Sequence, residues 1–305
     1  LDGQAQGLVF RRTETMKYTH LVIGHGEIGT ALAELLDCDW IDVKERQVNA
    51  DQYDIIHIAI PWGESFHQTV RENRAIWKPK YTVVHSTVPL GTCDELSVIH
   101  SPVRGIHPNL LEGLKTFVKF FGGGTEKDFF EVKNEFDQKG VRCMYAGAAK
   151  TTEAMKLWET TQYGVFIRLM QEIHDYCEKN GVRFDDVYTL ANRTYNYGYK
   201  RLGKDEVVRP VLKYMGPELG GHCVVENAKL LDSPITEWVV NGSAGYVSVP
   251  RRLLENLIDN TRQLRAENHW WKDEPRREYK AQYAQLCAEI SMGEKILAQN
   301  AQDQA

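Results

Sequence analysis

No two of the six cysteines stand in C-x-x-C spacing, and their positions (38, 93, 143, 177, 223 and 287) show no framework period. That scatter argues against a disulfide scaffold and a structural zinc site, so no metal is expected and a reducing, cytoplasmic location is. No apolar run approaches the roughly 20 residues that cross a bilayer, so no membrane partner is expected. An excess of positive charge is also missing. The 37 Lys and Arg against 42 Asp and Glu give a formal net charge of -5, and the basic residues are dispersed, which leaves no footprint of a nucleic-acid binder. Internal repeats and low-complexity linkers are absent too. The opening LDGQAQGLVFRRTET lacks the apolar core and cleavage pattern of a secretory signal. With Met16 just ahead of the first convincing strand, residues 1–16 read as an extension outside the fold.

What remains is a globular composition, 42% hydrophobic and 26% charged, in 305 residues, long enough for two cores. Short apolar runs alternate with helical stretches in the first half, the signature of βαβ units and a parallel sheet. THLVIG (19–24), WIDV (40–43), YDIIHIAI (53–60) and YTVVHST (81–87) read as strands, and FVKFFGG (117–123) and VRCMYAG (141–147) complete the sheet. Near residue 148 the period changes. A long helix is predicted over 151–180, capped by Thr151 or Thr152 and stopped by Asn180 and Gly181, and another over 185–199. After Pro250 the chain reads as almost wholly helical, divided at Pro275, with Tyr279, Tyr283, Leu286 and Ile290 forming a packing stripe.

Between the first strand and its helix, LVIGHGEIGTALAELL sets Gly24, Gly26 and Gly29 in G-x-G-x-x-G spacing. The first glycine permits a tight turn, the second lets a pyrophosphate reach the backbone, and the third lets helix and strand pack closely. Glu27 and Ile28 fall within the same turn, whose helix N-terminus offers unpaired N–H groups to phosphate. Asp42 ends the next strand 18 residues after Gly24, close to the offset of the acid that holds the adenosine ribose. It would repel a 2′-phosphate, so NAD is the expected cofactor, with Lys44 and Arg46 near enough to keep NADP open. Pro61, Ser86 and Thr87, at later strand ends, complete the candidate cofactor residues. The expected fold is therefore α/β: a Rossmann-type parallel-sheet domain over 17–147, an all-helical domain over 148–245, and a helical extension over 246–305.

A second signal lies in GPELGGHCVVEN (216–227), where Cys223 follows Gly220, Gly221 and His222 on what reads as a loop. Structural cysteines ordinarily sit within apolar elements, so this one reads as presented. With HSTVPLGT (85–92), HPNLLEG (107–113) and TTEAMKLWETTQYG (151–164) in the same order, the chain resembles the nucleotide-sugar 6-dehydrogenases, the UDP-glucose and UDP-N-acetylmannosamine dehydrogenase family within the 6-phosphogluconate dehydrogenase-like group. The likeness covers roughly residues 17 to 235.

That resemblance implies oxidation of a sugar C6 alcohol to the aldehyde and then the acid, with two NAD reduced. Cys223 would capture the aldehyde as a thiohemiacetal that a second hydride transfer converts to a thioester. Lys156 would stabilise the alkoxide and oxyanions. Thr160, one turn later, stands where the family has asparagine, and Thr87 would position a water. Glu112, with Gly220, Gly221 and His222, would bind substrate. Asn227 replaces the family aspartate four residues after the cysteine and cannot act as a base, which puts thioester hydrolysis in question. After Leu231 the alternating pattern of the family's third domain is missing. Two other readings stay open: a two-electron β-hydroxyacid or sugar-alcohol dehydrogenase using Lys156 as acid/base, and an NAD-binding protein without turnover. A small-molecule substrate and a homodimer are the expected partners.

Overall fold

A strand covered on both faces needs apolar residues at nearly every position, because it has no solvent side. Strands β1 (His20–Ile23) and β4 (Ile55–Ile58) are buried along their whole length, and β5 (Tyr81–Val84) at three of its four residues. In the computed structural model, which describes residues 18–105, 108–219 and 222–242, they form the middle of a six-stranded sheet. Its other members are β2 (Asp39–Ile41), β3 (Arg46–Gln47) and β6 (Ile99–His100), in the order β3-β2-β1-β4-β5-β6. All pairings are parallel except the edge pair β2–β3. The strand order reverses between β1 and β4, which is where ligands bind in open α/β sheets.

The helices α1 (Glu27–Leu36), α2 (Phe66–Trp77), α3 (Thr92–Leu96), α4 (Leu110–Thr116) and α5 (Glu126–Gln138) alternate with these strands and with a two-stranded parallel ribbon, β7 (Lys119–Phe121) with β8 (Cys143–Tyr145). A single antiparallel bridge between His100 and Gly122 ties this ribbon to β6. One core, around Leu32, Ile55, Phe121 and Phe136, joins α1, α4 and α5 to the sheet; a second, around Ile56, Phe66 and Val84, includes α2 and α3. The α/β expectation therefore holds, with the two shortest strands, β3 and β6, added; the segments 117–123 and 141–147, expected to complete the sheet, do not join it, because β7 and β8 pair with each other and meet β6 only at the one bridge.

The chain then turns helical: α6 (Ala149–Asn180), a π-helical turn (Asp185–Leu190), α7 (Ala191–Arg201), α8 (His222–Lys229) and α9 (Ile235–Asn241). Two expectations for the helix bounds also need correction. The long helix starts at Ala149 after an extended Ala148, ahead of both threonines predicted as caps. Thr152 is fully buried instead, donating to the Ala149 carbonyl at 2.9 Å and lying 2.8 Å from His100 Nδ1. The start of α6 packs so close to β7 that a Cβ on Gly122 would lie 2.5 Å from the Ala148 oxygen. The helix expected over 185–199 opens as a π turn and runs on to Arg201. Gly181 does stop α6, at φ +63°.

Buried Glu153 of α6 accepts from the backbone N–H groups of Gly91 (2.6 Å) and Cys93 (2.8 Å) and thereby caps α3. This carboxylate fixes the long helix against the segment after β5. All described residues fall within the first of two compact units, Leu1–Tyr246. The predicted extension 246–305, its Tyr279–Ile290 stripe and residues 1–16 lie outside the described residues. No described helix is long and apolar enough to cross a membrane.

Candidate functional site

The glycine-rich turn leaves β1 under tight constraint. Gly24 adopts φ +92°, and a Cβ there would lie 2.6 Å from the Ala59 carbonyl oxygen at the end of β4. At Gly29, within α1, a Cβ would sit 1.7 Å from the Gly24 oxygen. Gly26 differs from both. Nothing lies within 4 Å of its Cβ position, so the space in front of the α1 N-terminus is open. That free volume and the uncapped N–H groups of α1 are what a pyrophosphate requires, so the turn fits a dinucleotide.

Asp42 is held at this turn. Its carboxylate accepts from the backbone N–H of His25 at 2.5 Å and of Val43 at 2.7 Å, and the His25 bond leads in holding its pKa below the usual range. The His25 ring stacks on Trp40 with centroids 3.6 Å apart. The acid predicted to meet a ribose thus also locks the turn, a role that needs the folded register of β1 and β2.

A cleft of about 590 Å³ opens at the turn, lined by His25, Gly26, Glu27, Thr30, Asn109 and Glu112 among others. Glu112, predicted to bind substrate, stands in the first turn of α4 on the same cleft as Gly26 and Glu27. Ile28 is half-buried against the core. Ser86 is buried and donates to the Ile60 carbonyl at 2.6 Å, which ties the segment after β5 to the one after β4. Thr87 is half-buried just beyond it, and Pro61 is exposed.

The helical half carries the other candidates. Lys156 projects from α6 and donates to the Val103 carbonyl at 2.9 Å. Burial lowers its pKa, while negative charge at Cys223, and then at Glu159, opposes the shift. That coupling links two residues 67 positions apart. Thr160 shares its hydroxyl proton between the carbonyls of Lys156 (3.0 Å) and Leu157 (3.1 Å) in its own helix.

Cys223 is exposed, and it stands in the first turn of α8 rather than on the loop expected from sequence. Asn227, one turn further along α8, is buried, whereas Glu226 faces out and pairs with Lys229 at 2.7 Å. Helix α8 packs on α6 where Gly164 leaves room. A Cβ there would come 2.7 Å from Val224 Cγ1 and equally near Val239 Cγ1. His222 opens α8, while Gly220, Gly221 and His107 lie outside the described residues. None of the five described cysteines forms a disulfide, and no metal-binding cluster occurs among the described residues.

Sequence reasoning missed Arg104, which pairs with Glu159 beside Lys156 and lies over the rings of Phe117 and Phe120. Its only sequence signal was a lone arginine after a strand too short to show a period.

No family model matches the chain. The UDP-N-acetyl-D-mannosamine dehydrogenase of Methanocaldococcus jannaschii is 28% identical over 152 residues, which are 47% of this chain and 33% of that relative. Among solved structures, the UDP-D-ManNAc dehydrogenase of Pyrococcus horikoshii has a TM-score of 0.59 at 17% identity, covering 82% of this chain and 71% of that one. The 3-hydroxyisobutyrate dehydrogenase of Mycobacterium tuberculosis has a TM-score of 0.56 at 14% identity, covering 74% and 92% respectively. The structural matches show the fold, and the sequence match is a likeness over about half of this chain and a third of that relative's length.

Proposed function

We propose, from this likeness to a nucleotide-sugar dehydrogenase, that the chain oxidises the primary alcohol of a nucleotide sugar with NAD, through a thioester on Cys223. The observation that carries this reading is that α8, with the exposed Cys223 in its first turn, packs on α6, which carries the half-buried Lys156. NAD, held by the 24–29 turn and Asp42, would supply the hydride acceptor.

Lys156 stabilises the alkoxide formed as the substrate hydroxyl gives up its proton. The alkoxide carbon then loses a hydride, which a bound NAD would take, and becomes the aldehyde; the Cys223 thiolate adds to that carbon, forming a C–S bond and a thiohemiacetal oxyanion that faces the same lysine. Loss of hydride from that carbon leaves the thioester, and addition of water with departure of the thiolate releases the acid. Thr87 positions the water. Thr160 and Asn227 take part as polar neighbours of Lys156 and Cys223, and neither is a base. Glu112 and residues 220–222 complete the substrate side. In this reading residues 17–147 bind the cofactor and 148–245 carry the chemistry.

The test is NADH formed per substrate consumed, with UDP-N-acetyl-D-mannosamine first and other UDP-sugars beside it. Two NADH per substrate are expected. Cys223→Ala should abolish acid formation, and Lys156→Met should lower kcat about a hundredfold or more. One NADH per substrate, retained in Cys223→Ala, would instead establish the two-electron chemistry in which Lys156 is the acid/base. The burial that lowers the Lys156 pKa suits that second reading as well.

A homodimer through α6 accompanies this reading, supported by Trp158 and Leu169, which are 45% and 42% exposed on that helix. Light scattering on the full chain should give twice the chain mass, and a monomer mass at micromolar concentration would rule the dimer out.

A further inference from the structure

Lys156 and Glu159 stand three residues apart on α6, a spacing that puts two side chains on one face of a helix. Opposite charges so placed ordinarily pair within the helix. The chain does this elsewhere: Lys229 pairs with Glu226 on α8 at 2.7 Å, and Lys133 with Asp137 on α5. On α6 the two turn apart. Lys156 Nζ donates to the Val103 carbonyl at 2.9 Å. Glu159 accepts instead from Arg104, the next residue along from Val103, whose Nε lies 3.1 Å from Oε2 and whose Nη2 meets Oε1.

The backbone holds Arg104 in place for this. Val103 before it is buried. A Cβ on Gly113 of α4 would lie 3.0 Å from the Arg104 carbonyl oxygen and 2.7 Å from Gly105 Cα, so residues 104 and 105 are pressed against that helix. The guanidinium carbon lies 5.8 Å from the Phe117 ring centroid and 5.3 Å from that of Phe120. A planar fork with two parallel N–H groups grips a carboxylate in a way that an ammonium, a single point charge, does not match. Arg104 and Lys156 compete for one carboxylate, and the ring-backed guanidinium has it.

We propose that Arg104 is a positioning residue: by taking up the Glu159 carboxylate it keeps Lys156 out of an ion pair within α6 and on the Val103 carbonyl. The charges around the lysine agree. Burial lowers the Lys156 pKa, negative charge at Cys223 of α8 and at Glu159 opposes that shift, and Arg104 adds to it. From the sheet side, His100 of β6 and Lys119 of β7 also interact electrostatically with Lys156. Released from Arg104, Glu159 would turn to the lysine on its own helix face, raise its pKa and tie its ammonium down. The loss of an ammonium available to an oxyanion rests on the function proposed above; the withholding of Glu159 does not.

The test needs no activity. With 13C-labelled lysine in the intact chain, the Cε signal of Lys156, identified as the one lost in Lys156→Met, reports ionisation at Nζ. Arg104→Met should raise the Lys156 pKa by about one unit, and adding Glu159→Gln should return it to within about 0.3 unit of the parent. Both variants lack the arginine, so the return cannot come from repacking against Phe117 and Phe120. A pKa that stays raised in the double variant, or one that Arg104→Met leaves unmoved, would overturn the proposal. NADH formation near pH 7 should follow the same order, about tenfold slower in Arg104→Met and recovered in the double variant. A parent chain without turnover would count against the function, whereas the Lys156 titration alone decides the role of Arg104.

Discussion

Gly29→Ala is expected to cost the fold about 3 kcal/mol or more and to lower the melting temperature by roughly 10 °C. The methyl would sit 1.7 Å from the Gly24 carbonyl oxygen, which is backbone in a constrained turn and has no rotamer to retreat into. Gly26→Ala should behave in the opposite way. Nothing lies within 4 Å of that methyl, so stability should be nearly unchanged, while the added group occupies the space a pyrophosphate would use. Thermal unfolding and NAD titration of the two variants separate the effects: Gly29→Ala loses stability, and Gly26→Ala loses about tenfold or more in NAD affinity. A Gly26→Ala variant that binds NAD as the parent does would remove the dinucleotide reading of the turn.

Stability should climb as pH rises from 5 to about 8.5. His57 and His85 have pKa values held well below 6.5 by burial, and His100 is brought down to about 3 by the same cause. Below pH 6.5 the unfolded rings take protons that the folded rings refuse, so each contributes stability that is lost as pH falls, at about 1.4 kcal/mol per pH unit. Three rings together give a slope of about 4 kcal/mol per unit. Buried Lys119, lowered to about 7, acts in the same direction at higher pH. Above 7 the folded chain releases a proton that the unfolded chain keeps, so stability continues to rise. Cys38 and Cys143 then oppose it, since burial pushes both thiols up to about 12 and the unfolded thiols ionise first. Urea unfolding at half-unit pH steps checks this, with Lys119→Met flattening the segment above pH 7. A stability plateau between pH 5 and 7 would mean the rings accept protons in the fold.

The long apolar runs and the Gly24-Gly26-Gly29 spacing were legible in the sequence because each rests on neighbours within one turn or one strand. The two-residue strands β3 and β6 were not legible, being too short to show a period. Thr152 looked like a cap because threonines favour caps; its burial against His100 depends on where β6 lies. Cys223 looked loop-borne because glycines precede it, yet the helix that carries it is held by packing on α6 rather than by local propensity. The stacked histidines inside the sheet, His20 beside His57 and His57 beside His85, were the least visible feature. Residues 20, 57 and 85 have nothing in common along the chain, and only the register of β1, β4 and β5 aligns them.

At Gly164 the separation between α8, which carries Cys223, and α6, which carries Lys156, is set by an atom that is not there. Any side chain at that position would act as a spacer, lifting Val224 and the turn carrying Cys223 away from α6. The reach from sulfur to ammonium could therefore be adjusted in small steps from a position that is itself chemically inert. A series through alanine and serine at residue 164 would serve as a molecular ruler for the site while leaving Cys223 and Lys156 themselves unchanged.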